Sequence, residues 1–167
     1  MDIVVSIIEK IVWSGLAAAG FGVLFNIPKR TIIWVFFMGA IAGAFKFTLL
    51  HYGHGIVVAS FVAAAVIGFL SIPISSSMHT GPFVMSIPSV IPMIPGYFGY
   101  KTLLGILKMA LARDVLSSQS DFFIVMHNGL KLFFVLLALS IGISLPWLAL
   151  RHKIRRKLIL GKAEDLL

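Results

Sequence analysis

Cysteine is absent from the sequence, which excludes disulfides, thiolate nucleophiles and cysteine-ligated metals. Charge is scarce: 12% of the residues are Asp, Glu, Lys or Arg, against about 25% in ordinary soluble domains. Acidic residues are fewest, six in a chain of 167. A globule of this size must cover most of its surface with polar groups, and these cannot do so. The signatures of enzymes are also missing. There is no GxSxG, no HExxH, no phosphate-cradling glycine loop and no carboxylate pair at catalytic spacing. The expectation is a protein that is not an enzyme and uses no cofactor. His51 and His54 have no carboxylate or third ligand near them in sequence, so no metal site is expected.

What fills the chain is apolar, 59% of it, and arranged in runs. Between Lys46 and Lys101 lie 54 consecutive residues without one charged side chain. A helix that crosses a membrane needs about 20 mostly apolar residues, so the chain reads as an all-α, polytopic membrane protein. The runs recur as far as Leu150, and Met1, Asp2 and Ile3 supply no basic n-region, so the first run reads as a span and not as a secretory signal. The net charge of +8 argues for no nucleic acid, because it does not form a basic face interleaved with aromatics. Six of the fourteen basic residues are Arg151, Lys153, Arg155, Arg156, Lys157 and Lys162. A basic tail directly after an apolar run marks a cytoplasmic flank beside membrane lipid. The division is therefore a transmembrane helical domain over 1–150 and a basic cytoplasmic tail over 151–167.

About five transmembrane helices are predicted. The first runs from about Ile3 to Phe25 and ends at Asn26–Arg30, where Pro28 breaks the ladder and Lys29 and Arg30 would be costly in hydrocarbon. The second covers about Thr31 to Leu50, and the third Gly55 to Phe69 or Pro73. Five of the seven prolines, Pro73, Pro82, Pro88, Pro92 and Pro95, fall between Pro73 and Gly96. The polar stretch Ser75–Thr80 reads as an interfacial connection. From Val84 the chain re-enters as broken helix or extended backbone, which survives at depth only against protein or beside a cavity. A fourth span follows this broken segment to about Leu111, and a fifth runs from Phe122 or His127 to Leu150. If Val84–Leu111 only dips in, or the first run does not cross, four spans result. With five, Lys29, Arg30 and the basic tail share a side, while Asp2, Glu9, Lys10, Arg113, Asp114 and Asp121 face the other. The N-terminus is then outside and the C-terminus cytoplasmic.

Small residues mark helix-packing faces: Gly39 and Gly43, and Ala59, Ala63 and Gly68. They let helices approach where lipid gives no hydrophobic drive, and they also permit homo-oligomerisation. In Val90–Gly96 two prolines precede a glycine, and a helix restarting after Pro95 or Gly96 would offer free amides and a positive dipole end to a carboxylate. The same residues equally describe a kink. Ser86, Ser89, Tyr97 and Tyr100 add hydroxyls to this stretch. Lys46 and Lys101 are the better candidates for a cavity, and Lys108 and Lys131 for snorkelling to an interface. Glu9 and Lys10 read as solvated at the outer edge. His127 and Asn128 form a polar pair ahead of Lys131, and the histidine suits either proton transfer or a loop hydrogen bond. The candidate substrate path is thus Lys46, Ser89, Pro92, Pro95, Gly96, Tyr97, Tyr100, Lys101, His127 and Asn128.

Three groups of residues carry a family resemblance: Gly22, Phe25, Asn26 and Pro28; Val90–Gly96 followed by Tyr100; and Ala138–Ser144 with Pro146 ahead of the basic tail. In these, and in size and motif order over almost the whole chain, the sequence resembles the small subunit of the split threonine/serine exporter family. The resemblance implies a bacterial inner-membrane protein that works with a larger membrane subunit of the same family. Together they would form a secondary exporter of small carboxylate metabolites, either dicarboxylates such as succinate or amino acids such as threonine and serine. A non-transporting assembly subunit is the alternative. Relatives can show a histidine among glycines ahead of the basic residue in the second span, where this chain has Ala42, Gly43, Ala44 and Phe45 before Lys46.

Overall fold

A computed structural model describes residues 2–111 and 119–164. Every element among them is helical: α1 (Asp2–Leu24), α2 (Lys29–His51), α3 (Ile56–Ser77), α4 (Pro82–Val90), a 3-10 turn (Ile91–Met93), α5 (Gly96–Leu111) and α6 (Gln119–Glu164). Arg113, Asp114 and the side chains of the basic tail lie outside the described residues. Among the described residues four helices are long and apolar enough to cross a membrane, over Val5–Leu24, Lys29–His51, Ile56–Ser77 and Asp121–Leu150. The fifth crossing counts only if the bent pair Pro82–Met93 and Gly96–Leu111 is one span.

The local sequence explains the joints. Between α1 and α2 the chain reverses at Asn26, which sits at φ 53°, a left-handed conformation that asparagine tolerates better than most residues. Pro28 then caps α2, and the Thr31 hydroxyl donates to its carbonyl at 2.7 Å. The third helix corrects the sequence expectation: it does not stop by Pro73 but passes through it to Ser77. Ser71 Oγ donates to Gly68 O at 2.8 Å and Ser75 Oγ to Ile72 O at 3.0 Å. With its hydroxyl satisfied inside the helix, Ser75 is buried in the last turns of α3 instead of beginning an interfacial loop. The connection shrinks to Met78–Gly81. Pro82 opens α4 in the first turn, where a missing N–H costs nothing.

Close approach of backbones holds the bundle. A Cβ on Gly68 would lie 2.9 Å from Ile143 O and 2.9 Å from Pro146 Cγ, and one on Gly142 would lie 2.7 Å from the Ala64 methyl. Helices α3 and α6 therefore touch almost main chain to main chain. Gly39 and Gly43 face α1 in the same way, against Ala18 and Ser14. Ala59 and Ala63 are fully buried on α3. Around these contacts the core gathers Val35, Met38, Ile67, Met85, Val135 and Leu139. The apolar part of α6 has 30 residues, roughly 45 Å at about 1.5 Å per residue, longer than the hydrocarbon layer of about 30 Å. Its C-terminal part packs on α3 and its N-terminal part on α5, where Thr102 Cγ2 lies within 3.5 Å of a Cβ placed on Gly129.

Two contacts define one end of the bundle. Arg30 donates to Met78 O at 2.8 Å, and the rings of Phe83 and Trp147 stand 6.3 Å apart. The α1–α2 joint with Lys29 and Arg30, the α3–α4 joint and the end of the last span are thus neighbours. The α2–α3 joint after His51 is at the other end.

Candidate functional site

The break between α4 and α5 is irregular backbone within a candidate membrane-spanning segment, with Met93 buried in it. Pro92 and Pro95 have no N–H to give, so the helical ladder fails at two points three residues apart. Ile94 is extended, with φ −63° and ψ 124°, and its N–H returns to Ile91 O at 3.0 Å. The two helical pieces meet at 63°. This geometry deprives the Met93 carbonyl of a helical donor. Lys46 supplies one: its Nζ donates to Met93 O across from α2. Lys46 lies five residues from the end of α2 and is only 6% exposed. A lysine in a membrane span that faces a neutral carbonyl is a cationic position without its own counter-charge.

Ser89 lies on the same side of the break, fully buried, with Oγ 2.7 Å from Met85 O and 3.4 Å from Val35 O. One turn earlier Ser86 is also fully buried, and its hydroxyl has no hydrogen-bond partner. Lys46 is thereby joined to the proline-flanked break at Met93 O, while Ser89 meets α2 at Val35, eleven residues before Lys46.

The remaining candidates fall elsewhere. Tyr97, Tyr100 and Lys101 are all exposed on α5, with Lys101 Nζ 5.5 Å from the centre of the Tyr97 ring. Lys46 and Lys101 therefore do not form one cationic cavity: the first is turned into the core at Met93, and the second rides the outer face of α5. Gly96 opens α5, yet its N–H donates to Ile94 O at 2.9 Å and that of Phe98 to Pro95 O at 3.0 Å. The restart thus leaves fewer free amides than the sequence implies. His127 is exposed, and Asn128 Nδ2 donates to Ile124 O of its own helix at 2.9 Å. Lys131 lies 5.4 Å from the centre of the Phe98 ring, and Lys108 is exposed in the last turn of α5.

A feature that the sequence reading set aside adjoins the break. A cavity of about 350 Å³ opens between α1, α2 and the 3-10 turn, lined by Glu9, Lys10, Trp13, Ser14, Phe47 and Pro92. Lys10 Nζ stands 5.4 Å from the centre of the Phe47 ring, and Ser14 Oγ donates to Lys10 O at 2.7 Å. The signal was present as Lys10, Trp13 and Ser14 at helical spacing on one face of α1, but only the fold places Phe47 and Pro92 opposite. Among the described residues no three His, Asp or Glu side chains gather as a metal site.

The family model described as "Threonine/Serine exporter, ThrE" matches residues 10–149. The matched region includes α2 through the break, hence Lys46, Pro92 and Met93. No solved structure matches the chain.

Proposed function

The chain belongs to the threonine/serine exporter family, and from that premise we propose that it is the small subunit of a two-subunit secondary exporter of small carboxylate metabolites. It is a multi-pass membrane protein of transporter type. The observation that carries the finer reading is Lys46 at the break. A carboxylate that reaches Met93 finds a buried cationic side chain whose present partner is a neutral carbonyl, and exchange of that carbonyl for the carboxylate replaces a bond to a neutral acceptor with an ion pair. Broken helices near the middle of a span are also where transporters of several folds hold their substrates. Succinate, threonine and serine all meet this requirement.

The larger subunit of the same family supplies the rest of the pathway. Two features support it: the motif resemblance to small subunits, and the broad outward apolar surface of α5 and α6, where Leu103, Ile106, Leu107, Phe123 and Leu130 are exposed. Lipid or a partner helix must cover that surface. The host membrane in this reading is the bacterial inner membrane. Because Lys29 and Arg30 share an end with Met78 and Trp147, the positive-inside rule assigns that end to the cytoplasm and the N-terminus to the outside.

The test is export from cells that keep the larger subunit and lack this chain, loaded with labelled succinate, threonine or serine. Export should be lost, and restored by the chain supplied in trans. Export that continues undiminished for all three would overturn the proposal and favour a non-transporting assembly role.

A further inference from the structure

Hydroxyls on these helices follow one habit, which is to bond back to the helix that carries them. Ser14, Ser71, Ser75, Ser89 and Thr102 each donate to a carbonyl three or four residues earlier. Ser60 on α3 departs from it: the residue is fully buried and its Oγ has no hydrogen-bond partner. A buried hydroxyl without a partner is costly to the folded state. Ser86 shares this condition but lies one turn into α4 from Pro82, whereas Ser60 lies level with Lys46. Lys46 is five residues before the end of α2 and Ser60 four after the start of α3, and only residues 52–55 separate these two helices, which pack on each other. Around the axis of α3, Ser60 falls between the edge that meets α6 at Ala64 and Gly68 and the edge that carries Ala59 and Ala63, so it faces the interior of the bundle. Val57 and Ala63, which flank it along the buried face, pack in the same core as Ala42, one turn before Lys46, and as Met93, whose carbonyl Lys46 holds. Over the first three turns of α3, Ser60 is the only buried residue with a side-chain donor.

We propose that Ser60 is the second anchor of the substrate carboxylate. When the carboxylate takes the place of Met93 O on Lys46, one of its oxygens pairs with Nζ and the other accepts a hydrogen bond from the Ser60 hydroxyl. This inference rests on the proposed transport function and adds to it a residue that neither the sequence pattern nor the Lys46 contact names. The cost of the unpaired hydroxyl falls on the empty state and is relieved in the complex, so the donor stands ready for the ligand without an internal bond to break first. Lysine alone is a point charge on a flexible stem. A second donor from a different helix fixes the plane of the carboxylate and with it the direction in which the rest of the substrate lies. Because the two donors come from α2 and α3, the bound carboxylate also ties these helices together at the level of the break.

The test is isothermal titration of the purified complex that contains this chain, with succinate and with L-threonine, and with the thermal midpoint recorded on each preparation. Ser60→Ala removes the donor and Ser60→Cys keeps nearly the volume while leaving only a weak one. Both should weaken both ligands about tenfold, the loss of one bond to a charged acceptor. The midpoint of Ser60→Ala should be unchanged or raised, since the change removes an unpaired buried hydroxyl and alanine is the better helix former. A serine with a merely structural role would instead lose stability on truncation. Ser71→Ala, whose hydroxyl is already bonded to Gly68 O, should leave both affinities as they are. The inference is overturned if the wild type binds and Lys46→Met binds more weakly while Ser60→Ala and Ser60→Cys bind normally. It is also overturned if Ser60→Ala loses affinity only together with stability and Ser60→Cys binds as the wild type does. Absence of binding by the wild-type complex to either compound overturns the transport reading itself, and this inference with it.

Discussion

Replacing Lys46 by methionine keeps an unbranched side chain of similar length and removes the amine that meets Met93 O. Two costs then have to be compared. In the free protein the Met93 carbonyl loses its donor in a buried setting, a penalty of about 1–3 kcal/mol, partly offset because a lysine amine no longer has to be buried. In the substrate complex the loss is a charge-assisted bond to a carboxylate, about 1.5–3 kcal/mol, which lowers affinity roughly ten- to hundredfold. The variant should therefore assemble with a modest fall in thermal midpoint and bind threonine and succinate alike with a weakened Kd, since both present a carboxylate. Isothermal titration of the purified complex, with Tm recorded on the same samples, separates the two effects. Lys101→Met is the companion variant, because Lys101 sits on the outer face of α5, and it should change affinity little. Normal affinity in an assembled Lys46→Met complex would refute the reasoning, and a loss confined to Lys101→Met would move the path to the outer face of α5.

Gly68→Ala forces a methyl to within 2.9 Å of Ile143 O and Pro146 Cγ and should destabilise the bundle by about 1–3 kcal/mol through overpacking. Gly20→Ala meets nothing within 4 Å and should be neutral or stabilising by up to about 1 kcal/mol. Thermal unfolding in detergent reads both, and equal midpoints would contradict the close α3–α6 contact. Replacement of Pro92, Pro95 and Gly96 together by alanine should straighten the break and reduce flux more than complex yield; normal flux from a well-assembled triple variant would remove the break from the mechanism. Arg30→Ala loses the bond to Met78 O, worth about 0.5–1.5 kcal/mol, and should raise proteolysis or hydrogen exchange at Met78–Gly81 without altering substrate affinity.

Much of the architecture was legible because the membrane imposes it. Uncharged runs fixed the spans to within a few residues at α2, and the prolines from Pro82 to Pro95 located the break. Pro73 misled because proline was weighed alone: its helix continues, and Ser71 and Ser75 bond to carbonyls of their own helix. A run of serines after a proline looks like a loop by composition, yet Ser75–Ser77 are helical and Ser75 is buried with its hydroxyl bonded to Ile72 O. The candidate site was legible in part. Lys46 meets the proline-flanked break at Met93 O while Ser89 reaches α2 at Val35, and nothing local in the sequence says that Lys46 faces Met93, a residue 47 positions away. Tyr97, Tyr100 and Lys101 looked like neighbours of the prolines because they follow them in sequence. The 63° bend turns α5 away toward α6 and separates them. Glu9 and Lys10 read as solvated and both are exposed; what the sequence does not show is that Phe47 and Pro92 lie across from them.

The central claim is that a carboxylate-bearing substrate passes the break through Lys46. Its most direct measurement is counterflow of labelled threonine and succinate in liposomes that contain this chain with its larger subunit, wild type beside Lys46→Met, at matched protein content and with assembly checked by gel filtration. The account expects accumulation of label by the wild type and, at substrate below the variant's weakened Kd, at least several-fold less by the variant. Equal accumulation by the two, or none by the wild type with either compound, would contradict it.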